Sequence, residues 1–203
     1  MIRAYVGLGA NLGDADRTMA EAIGALDGLP GVTVEAVSRL YATAPWGRTD
    51  QPEFRNAAAA LDVRADPRGA ETGALALLGS LKTLEREAGR RPRERWGPRE
   101  LDLDLLVYGR HHIDVARSSG ARSADATIDR VKAAKRLEVP HRDLGERLFV
   151  LAPLADIAPR LVPPGWHETV ETRRRRVAAA ERPGAVRLVG EWDADRRGWR
   201  GPG

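Results

Sequence analysis

The 203-residue chain contains no cysteine, which excludes disulfides, thiolate nucleophiles and cysteine-based metal sites. It also lacks any apolar run approaching the roughly 20 residues that cross a bilayer. Its opening segment is broken by Gly7, Gly9, Asn11 and Gly13 before the apolar core of a signal peptide could form. A soluble chain of the cytoplasm with no membrane partner is therefore expected. The phosphate loop that ends in Gly-Lys-Ser or Gly-Lys-Thr is missing too, so any nucleotide is held by a different device. Gly7, Gly9 and Gly13 imitate a dinucleotide fingerprint, but no acidic residue closes the next strand, which ends Val37-Ser-Arg-Leu40. A nicotinamide-dependent reductase has no other support.

What is present fits one globular domain: 42% hydrophobic and 31% charged residues suffice to bury roughly 70% of the unfolded surface. The net charge is only +4, yet the basic residues crowd into residues 90–99, 130–136 and 173–176. Local anion sites follow from that unevenness, whereas a nucleic-acid-coating surface is not required.

Residues 2–8 read as a strand and 7–13 as a glycine-punctuated turn. Asp14 or Asp16 then caps a helix through residue 26, with Met19, Ala22, Ile23 and Leu26 on one face. Alternation predicts single strands over 32–41 and 54–63, joined by a long polar loop, 43–53. Asp66-Pro67 reads as a cap and first turn, and Ala74, Leu77, Leu78, Leu81, Leu84 and Ala88 repeat at three and four until Gly89. A last strand alternates over 101–108. The order βαββαβ predicts an α+β, ferredoxin-like fold, an antiparallel sheet with helices packed on one face, elaborated by extra elements. The main domain is expected over 1–162, with 118–136 a mobile insertion. Residues 163–203 form a partly flexible C-terminal extension, with a helix through 173–176, a short strand at 186–189 and a frayed end.

Asp102 and Asp104 alternate with Leu101, Leu103 and Leu105, so both carboxylates share one face of the last strand, about 7 Å apart along the backbone. Two adjacent anions on an apolar strand are costly, and a divalent cation held with substrate phosphates removes that cost; magnesium prefers such oxygen ligands. Spacing alone leaves a second reading open, a half-exposed strand with a polar face. The segment leading into this strand, residues 89–99, carries five arginines, whose guanidinium forks match phosphate oxygens. Beside the paired acids it reads as a phosphate clamp. Trp96 there either covers a bound ring or packs as an ordinary indole. Phe54 and Asn56 share a strand face as an aromatic plate and an amide, suited to a flat heterocycle or to a plain core. The same strand order occurs in single-stranded RNA modules, but Tyr5 is the lone aromatic of the first strand and residues 56–60 run Asn-Ala-Ala-Ala-Ala, so no nucleic-acid partner is expected.

Five blocks, Tyr5-Val-Gly-Leu-Gly-Ala-Asn-Leu-Gly-Asp14, Tyr41-Ala-Thr-Ala-Pro-Trp-Gly47, Asp50-Gln-Pro-Glu-Phe-Arg-Asn-Ala57, Arg95-Trp-Gly-Pro-Arg-Glu-Leu-Asp-Leu-Asp104 and Val139-Pro-His-Arg-Asp143, resemble the 6-hydroxymethyl-7,8-dihydropterin pyrophosphokinases. The resemblance runs from residue 1 to about 159. It implies transfer of pyrophosphate from ATP to the pterin hydroxymethyl in folate biosynthesis, with two magnesium ions on Asp102 and Asp104 and with ATP as co-substrate. By position it implies a pterin pocket of Thr43, Ala44, Trp46, Phe54, Asn56 and Phe149. It implies ATP contacts at Glu85, Arg95, Trp96, Arg99, His141 and Arg147, and catalytic roles for Arg90, Arg93, Arg99 and Asp102. Ala44 replaces a proline usual in the family, and Arg142 stands where some members carry tyrosine. Small-molecule substrates are the implied partners, and a monomer is favoured.

Overall fold

The computed structural model describes residues 1–45, 50–89, 97–116 and 135–201. Its elements run β1 (Ile2–Ala10), α1 (Ala15–Asp27), β2 (Val32–Val37), β3 (Leu40–Thr43), β4 (Phe54–Val63), α2 (Ala70–Glu87) and β5 (Asp102–Tyr108). They continue with β6 (Ile113–Ala116), β7 (Lys135–Val139), α3 (Leu148–Ile157), α4 (Val170–Ala180), β8 (Val186–Asp193) and β9 (Gly198–Arg200). The main sheet is ordered β5-β1-β4-β3-β8-β9, with β2 also on β4, and the pairs are antiparallel; β6 and β7 form a separate ribbon.

One face of the sheet builds the larger core. Ala4, Val6, Leu8 and Ala10 of β1 join Ala57, Ala59 and Leu61 of β4 and Leu103 and Leu105 of β5, covered by Met19, Ile23 and Leu26 of α1 and Ala74, Leu77 and Leu81 of α2. Asp14 caps α1 by accepting from Arg17 N, as its sequence pattern predicts. α2 starts later than the Asp66-Pro67 signal suggests. Asp66 instead closes a turn by accepting from Arg68 N, and Gly69, at φ 115°, precedes the helix.

The structure corrects several other expectations. β1 does not stop at Leu8 but pairs through Ala10, because both neighbours supply partners for its glycines. Residues 32–41 are two strands, not one, broken at Ser38 and Arg39. Ser38 repairs the gap: its N–H donates to Ala58 O, its Oγ accepts from Ala58 N, and its carbonyl accepts from Trp199 Nε1. Strict alternation in β5 ends at a bulge, where Leu106 is the residue without a register partner on β1. Leu105 consequently enters the first core, while Leu106 and Val107 enter a second with Leu144, Leu151, Leu154 and Val170.

Helices therefore lie on both faces of the sheet, not one, with α3 and α4 building the second layer. The tail is not frayed over 186–200: β8 pairs with β3 and turns into β9, and Trp192 packs edge-on to Trp199 at 4.8 Å between ring centroids. The α4 helix at the arginine run is as predicted, with Thr169 as its cap. Of the expected insertion, residues 135 and 136 belong to β7; 118–134 lie outside the described residues.

Candidate active site

The site lies on the second face of the sheet, at the end where β1 finishes and β4 and β5 begin. Leu103 is fully buried on the opposite face, which stabilises the strand by about 1.5–3 kcal/mol and leaves Asp102 and Asp104 facing outward, half-buried. Across the ladder, Asp102 stands opposite Gly9 and Asp104 opposite Gly7. Gly9 in turn pairs with Asn56 of β4, so Asn56 lies two strands, about 10 Å, from Asp102 with no side chain between them. A Cβ at Gly9 would meet nothing nearer than Asn56 Oδ1 at 3.7 Å. The space over Gly7 is different, since Leu106 Cδ2 comes within 3.4 Å of that position. Of the glycines that mimic a dinucleotide loop, Gly9 thus leaves a bare lane in the sheet between an acid and an amide, whereas Gly7 makes room for Leu106.

Arg99 enters β5 from the arginine segment and its Nη1 donates to Asp102 Oδ2. The guanidinium therefore offsets one of the two acids. Asn11, 3% exposed and given no role by sequence reasoning, fixes Arg99 in place. Its Oδ1 accepts from Arg99 N at 2.7 Å, its backbone N–H donates to Arg99 O at 3.0 Å, and its Nδ2 donates to Gln51 Oε1 at 3.2 Å and Pro52 O at 3.0 Å. One buried amide thereby joins the end of β1, the approach to β4 and the approach to β5. The only sequence signal for it is a polar residue directly after an apolar strand.

The remaining predicted residues fall around this frame. Asn56 donates to Thr43 Oγ1 at 3.0 Å, both buried, and Phe54 lies one alternation along β4 from Asn56. Ala44 is exposed just beyond β3. His141 is tied to β5 by its backbone N–H, which donates to the carbonyl of the bulged Leu106 at 2.8 Å. Arg147 pairs with Asp143 at 2.6 Å and lies over the ring of Phe149, which stands in the first turn of α3, at 5.8 Å from its centroid. Glu85 is 2% exposed; its Oε1 accepts from Leu103 N and from Lys82 Nζ. Burial pushes its carboxyl pKa up, opposed by the charge and hydrogen bond of Lys82. Trp46, Arg90, Arg93, Arg95 and Trp96 lie outside the described residues.

Among the described residues no three His, Cys, Asp or Glu side chains gather as a complete metal cage. Asp102 and Asp104 supply two hard oxygen donors facing one way, which fits an ion that takes one or two carboxylates and completes its shell with substrate phosphates and water. A cavity of about 750 Å³ lies elsewhere, bordered by Tyr41, Leu148, Asp156 and Arg174. Several of its charges are paired with one another. Asp156 accepts from Arg39 Nε and from Tyr41 Oη, and Arg174 pairs with Glu171. Burial, then the Asp156 charge, pushes the Tyr41 pKa up to about 12.

The family described as 7,8-dihydro-6-hydroxymethylpterin-pyrophosphokinase (HPPK) matches residues 5–159. A 2-amino-4-hydroxy-6-hydroxymethyldihydropteridine pyrophosphokinase of Methylorubrum extorquens is 40% identical over 188 residues, 93% of this chain and 99% of that protein. The protein of the same name from Bacillus subtilis is 36% identical over 154 residues, 76% of this chain and 77% of the relative. Among solved structures, Plasmodium falciparum HPPK-DHPS A437G with pteroate superposes with a TM-score of 0.67 at 13% identity, over 94% of this chain and 47% of that one. This chain spans about half the length of that protein, and the likeness speaks to the fold.

Proposed function

The chain belongs to the 7,8-dihydro-6-hydroxymethylpterin-pyrophosphokinase family, and from that premise we propose how its residues divide the work. It transfers the pyrophosphoryl group of ATP to 6-hydroxymethyl-7,8-dihydropterin, giving AMP and the pterin diphosphate, in folate synthesis. The sheet order β5-β1-β4 followed by β2 and β3, with α1 and α2 as the two crossing helices, supports the ferredoxin-like reading of the core.

One observation carries the residue-level reading: two carboxylates face the same way on β5 across from two glycines, with an arginine on one of them and a buried amide two strands away. ATP phosphates lie along the acid side of this lane, the pterin at the Asn56 side. Asn56 and Thr43 read the heterocycle edge, Ala44 and Trp46 contribute mainly backbone, and Phe54 and Phe149 take the ring faces. Arg147 is held beside Phe149 by Asp143, and with His141, Arg95 and Trp96 it receives the nucleotide. Magnesium, when bound with ATP, would be held by Asp102 and Asp104 and would withdraw charge from the phosphates.

The pterin hydroxyl oxygen attacks the β-phosphorus in line, the bond from that phosphorus to the oxygen bridging to the α-phosphate breaks, and AMP leaves with that oxygen. Asp102 is the acceptor nearest the hydroxyl proton. Arg90, Arg93 and Arg99 offset the charge that develops, so positioning and electrostatics carry the rate. The enzyme is read as a cytoplasmic monomer acting on small molecules, without nucleic-acid or membrane partners; among the described residues no helix is long and apolar enough to cross a membrane. Incubation with ATP, magnesium and the hydroxymethyl pterin tests the reading. AMP should appear in step with the pterin diphosphate, and ADP as the nucleotide product would refute it.

A further inference from the structure

Strand β5 is an edge of the main sheet: β1 pairs one side of it, and its outer backbone groups face away from the sheet. An edge strand ordinarily leaves those groups to water. At Leu103, the residue between the two acids, both are taken by a single turn of α2. Glu85 Oε1 accepts from Leu103 N at 2.7 Å, Lys82 Nζ donates to Leu103 O at 2.9 Å, and Lys82 Nζ also donates to Glu85 Oε1 at 2.6 Å. The pair imitates the hydrogen bonding of a neighbouring strand.

An acid as buried as Glu85 is costly unless it is paired and bonded. A leucine would fill the same helix face without that cost, as Leu77 and Leu81 do on the preceding turns. The Leu103 side chain already fixes how deep the strand sits. What side-chain burial does not fix is sliding and twisting of the strand along its open edge, and the two backbone bonds oppose both motions. Further along β5, where no acid is carried, backbone N–H groups hold the strand instead, His141 N donating to Leu106 O and His111 N to Tyr108 O.

We propose that Lys82 and Glu85 are positioning residues that grip the Leu103 peptide groups from α2 and so hold Asp102 and Asp104 at a fixed spacing and orientation toward the nucleotide phosphates and their metal. The proposal rests on the reading of those acids given above. It assigns Glu85 a role through the strand and brings in Lys82.

The test uses the full-length protein with Glu85→Gln and Lys82→Met. The readouts are Leu103 amide exchange, Mn²⁺ binding in the presence of a non-hydrolysable ATP analogue, and steady-state kinetics. Loss of a group that orients metal ligands typically costs about 10–100-fold in affinity or activity. Both variants should therefore exchange Leu103 faster, bind Mn²⁺ about 10–100-fold more weakly and lose a similar factor in kcat, while KM for ATP moves by no more than about twofold. Faster Leu103 exchange with unchanged Mn²⁺ affinity and kcat would make the pair merely structural. Loss of analogue affinity with kcat intact would make Glu85 a nucleotide contact; either outcome overturns the proposal. Should Glu85→Gln fail to fold, Lys82→Met carries the same measurements, because the Lys82 side chain is 42% exposed. A wild-type protein that makes no AMP would sink the activity reading itself, and the exchange and Mn²⁺ measurements would still decide for or against the clamp.

Discussion

Replacing Gly9 with alanine separates a substrate lane from a folding requirement. The residue sits in β1 between Asp102 on one side and Asn56 on the other, and its φ is not in the left-handed region. An added methyl would lie 3.7 Å from Asn56 Oδ1 and 3.9 Å from Arg55 O, ordinary contacts that nothing need move to accept. Gly→Ala at a tolerant position stabilises by about 0.4–1 kcal/mol through the unfolded chain, so melting should hold or rise by roughly 1–4 °C for a chain of this size. On the proposed placement of the substrates, the same methyl stands in the lane where phosphate and pterin would meet. A misfit of one methyl-sized group there is worth about 1–3 kcal/mol, so kcat/KM for AMP release should fall about 10–200-fold. Circular dichroism melting and an AMP-release assay on the same preparation decide the matter. Melting lowered by more than about 5 °C would make the glycine structural, and kcat/KM within about twofold of wild type would mean that no substrate atom passes over it. Gly7→Ala is the control: Leu106 already lies over that position at an ordinary contact distance of 3.4 Å, so the methyl fills no substrate space and both melting and turnover should stay close to wild type.

Asp104→Ala should abolish AMP formation while leaving the circular dichroism spectrum intact; a variant that turns over at full rate would remove the metal-binding role. Gly73→Ala and Tyr108→Phe form a double-mutant cycle. A Cβ at Gly73 would sit 2.6 Å from Tyr108 Oη, and that buried hydroxyl has no hydrogen-bond partner among the described residues. Gly73→Ala alone should cost about 1–3 kcal/mol in overpacking, set against about 1 kcal/mol of helix propensity. In the Tyr108→Phe background the hydroxyl clash is gone and only the tighter 3.3 Å approach to Asp66 Cβ opposes the propensity gain, so the cost should shrink; additivity within about 0.5 kcal/mol in urea melts would refute the clash. The Tyr41 pKa, raised to about 12 by burial first and by the Asp156 charge second, has an alkaline signature. Between an ordinary tyrosine pKa near 10 and about 12 the folded protein keeps a proton that the unfolded chain has lost. Stability should therefore fall as pH rises through that window. Comparison of urea midpoints at pH 9 and pH 11 should show a smaller loss for Tyr41→Phe than for wild type, and equal losses would refute the assignment.

The acids of β5 are legible in the sequence because alternation is a local rule: three leucines that must be buried leave Asp102 and Asp104 one place to face. The same rule misleads at Leu106, where a bulge sends Leu105 and Leu106 into different cores, and nothing local announces that two cores exist. β1 looks short because glycine reads as a turn wherever local preference decides. Here pairing on both sides overrides preference, and the missing side chains are used: Gly9 leaves room on the site face and Gly7 makes room for Leu106. The break at Ser38 is invisible for the opposite reason, since the bonds that make it affordable come from Ala58 and from Trp199, 161 residues away.

Asn11 shows where reading a chain by pattern stops. An isolated asparagine among glycines carries no periodicity, and its meaning lies in partners at 51, 52 and 99 that only the closed sheet brings together. Residues that do chemistry tend to appear in the sequence as costly company, such as two acids or a run of arginines, because like charges side by side need a reason. Residues that aim them, Asn11 and the Lys82–Glu85 pair, bond to backbone, and backbone has no signature in the sequence. In this chain two of the three aiming residues are nonetheless the more deeply buried: Asn11 and Glu85 are buried, Asp102 and Asp104 are not, and of the aiming residues only Lys82 reaches solvent. Buried polar side chains that satisfy strand ends and edges are therefore the place to look for what a pattern of acids leaves unexplained.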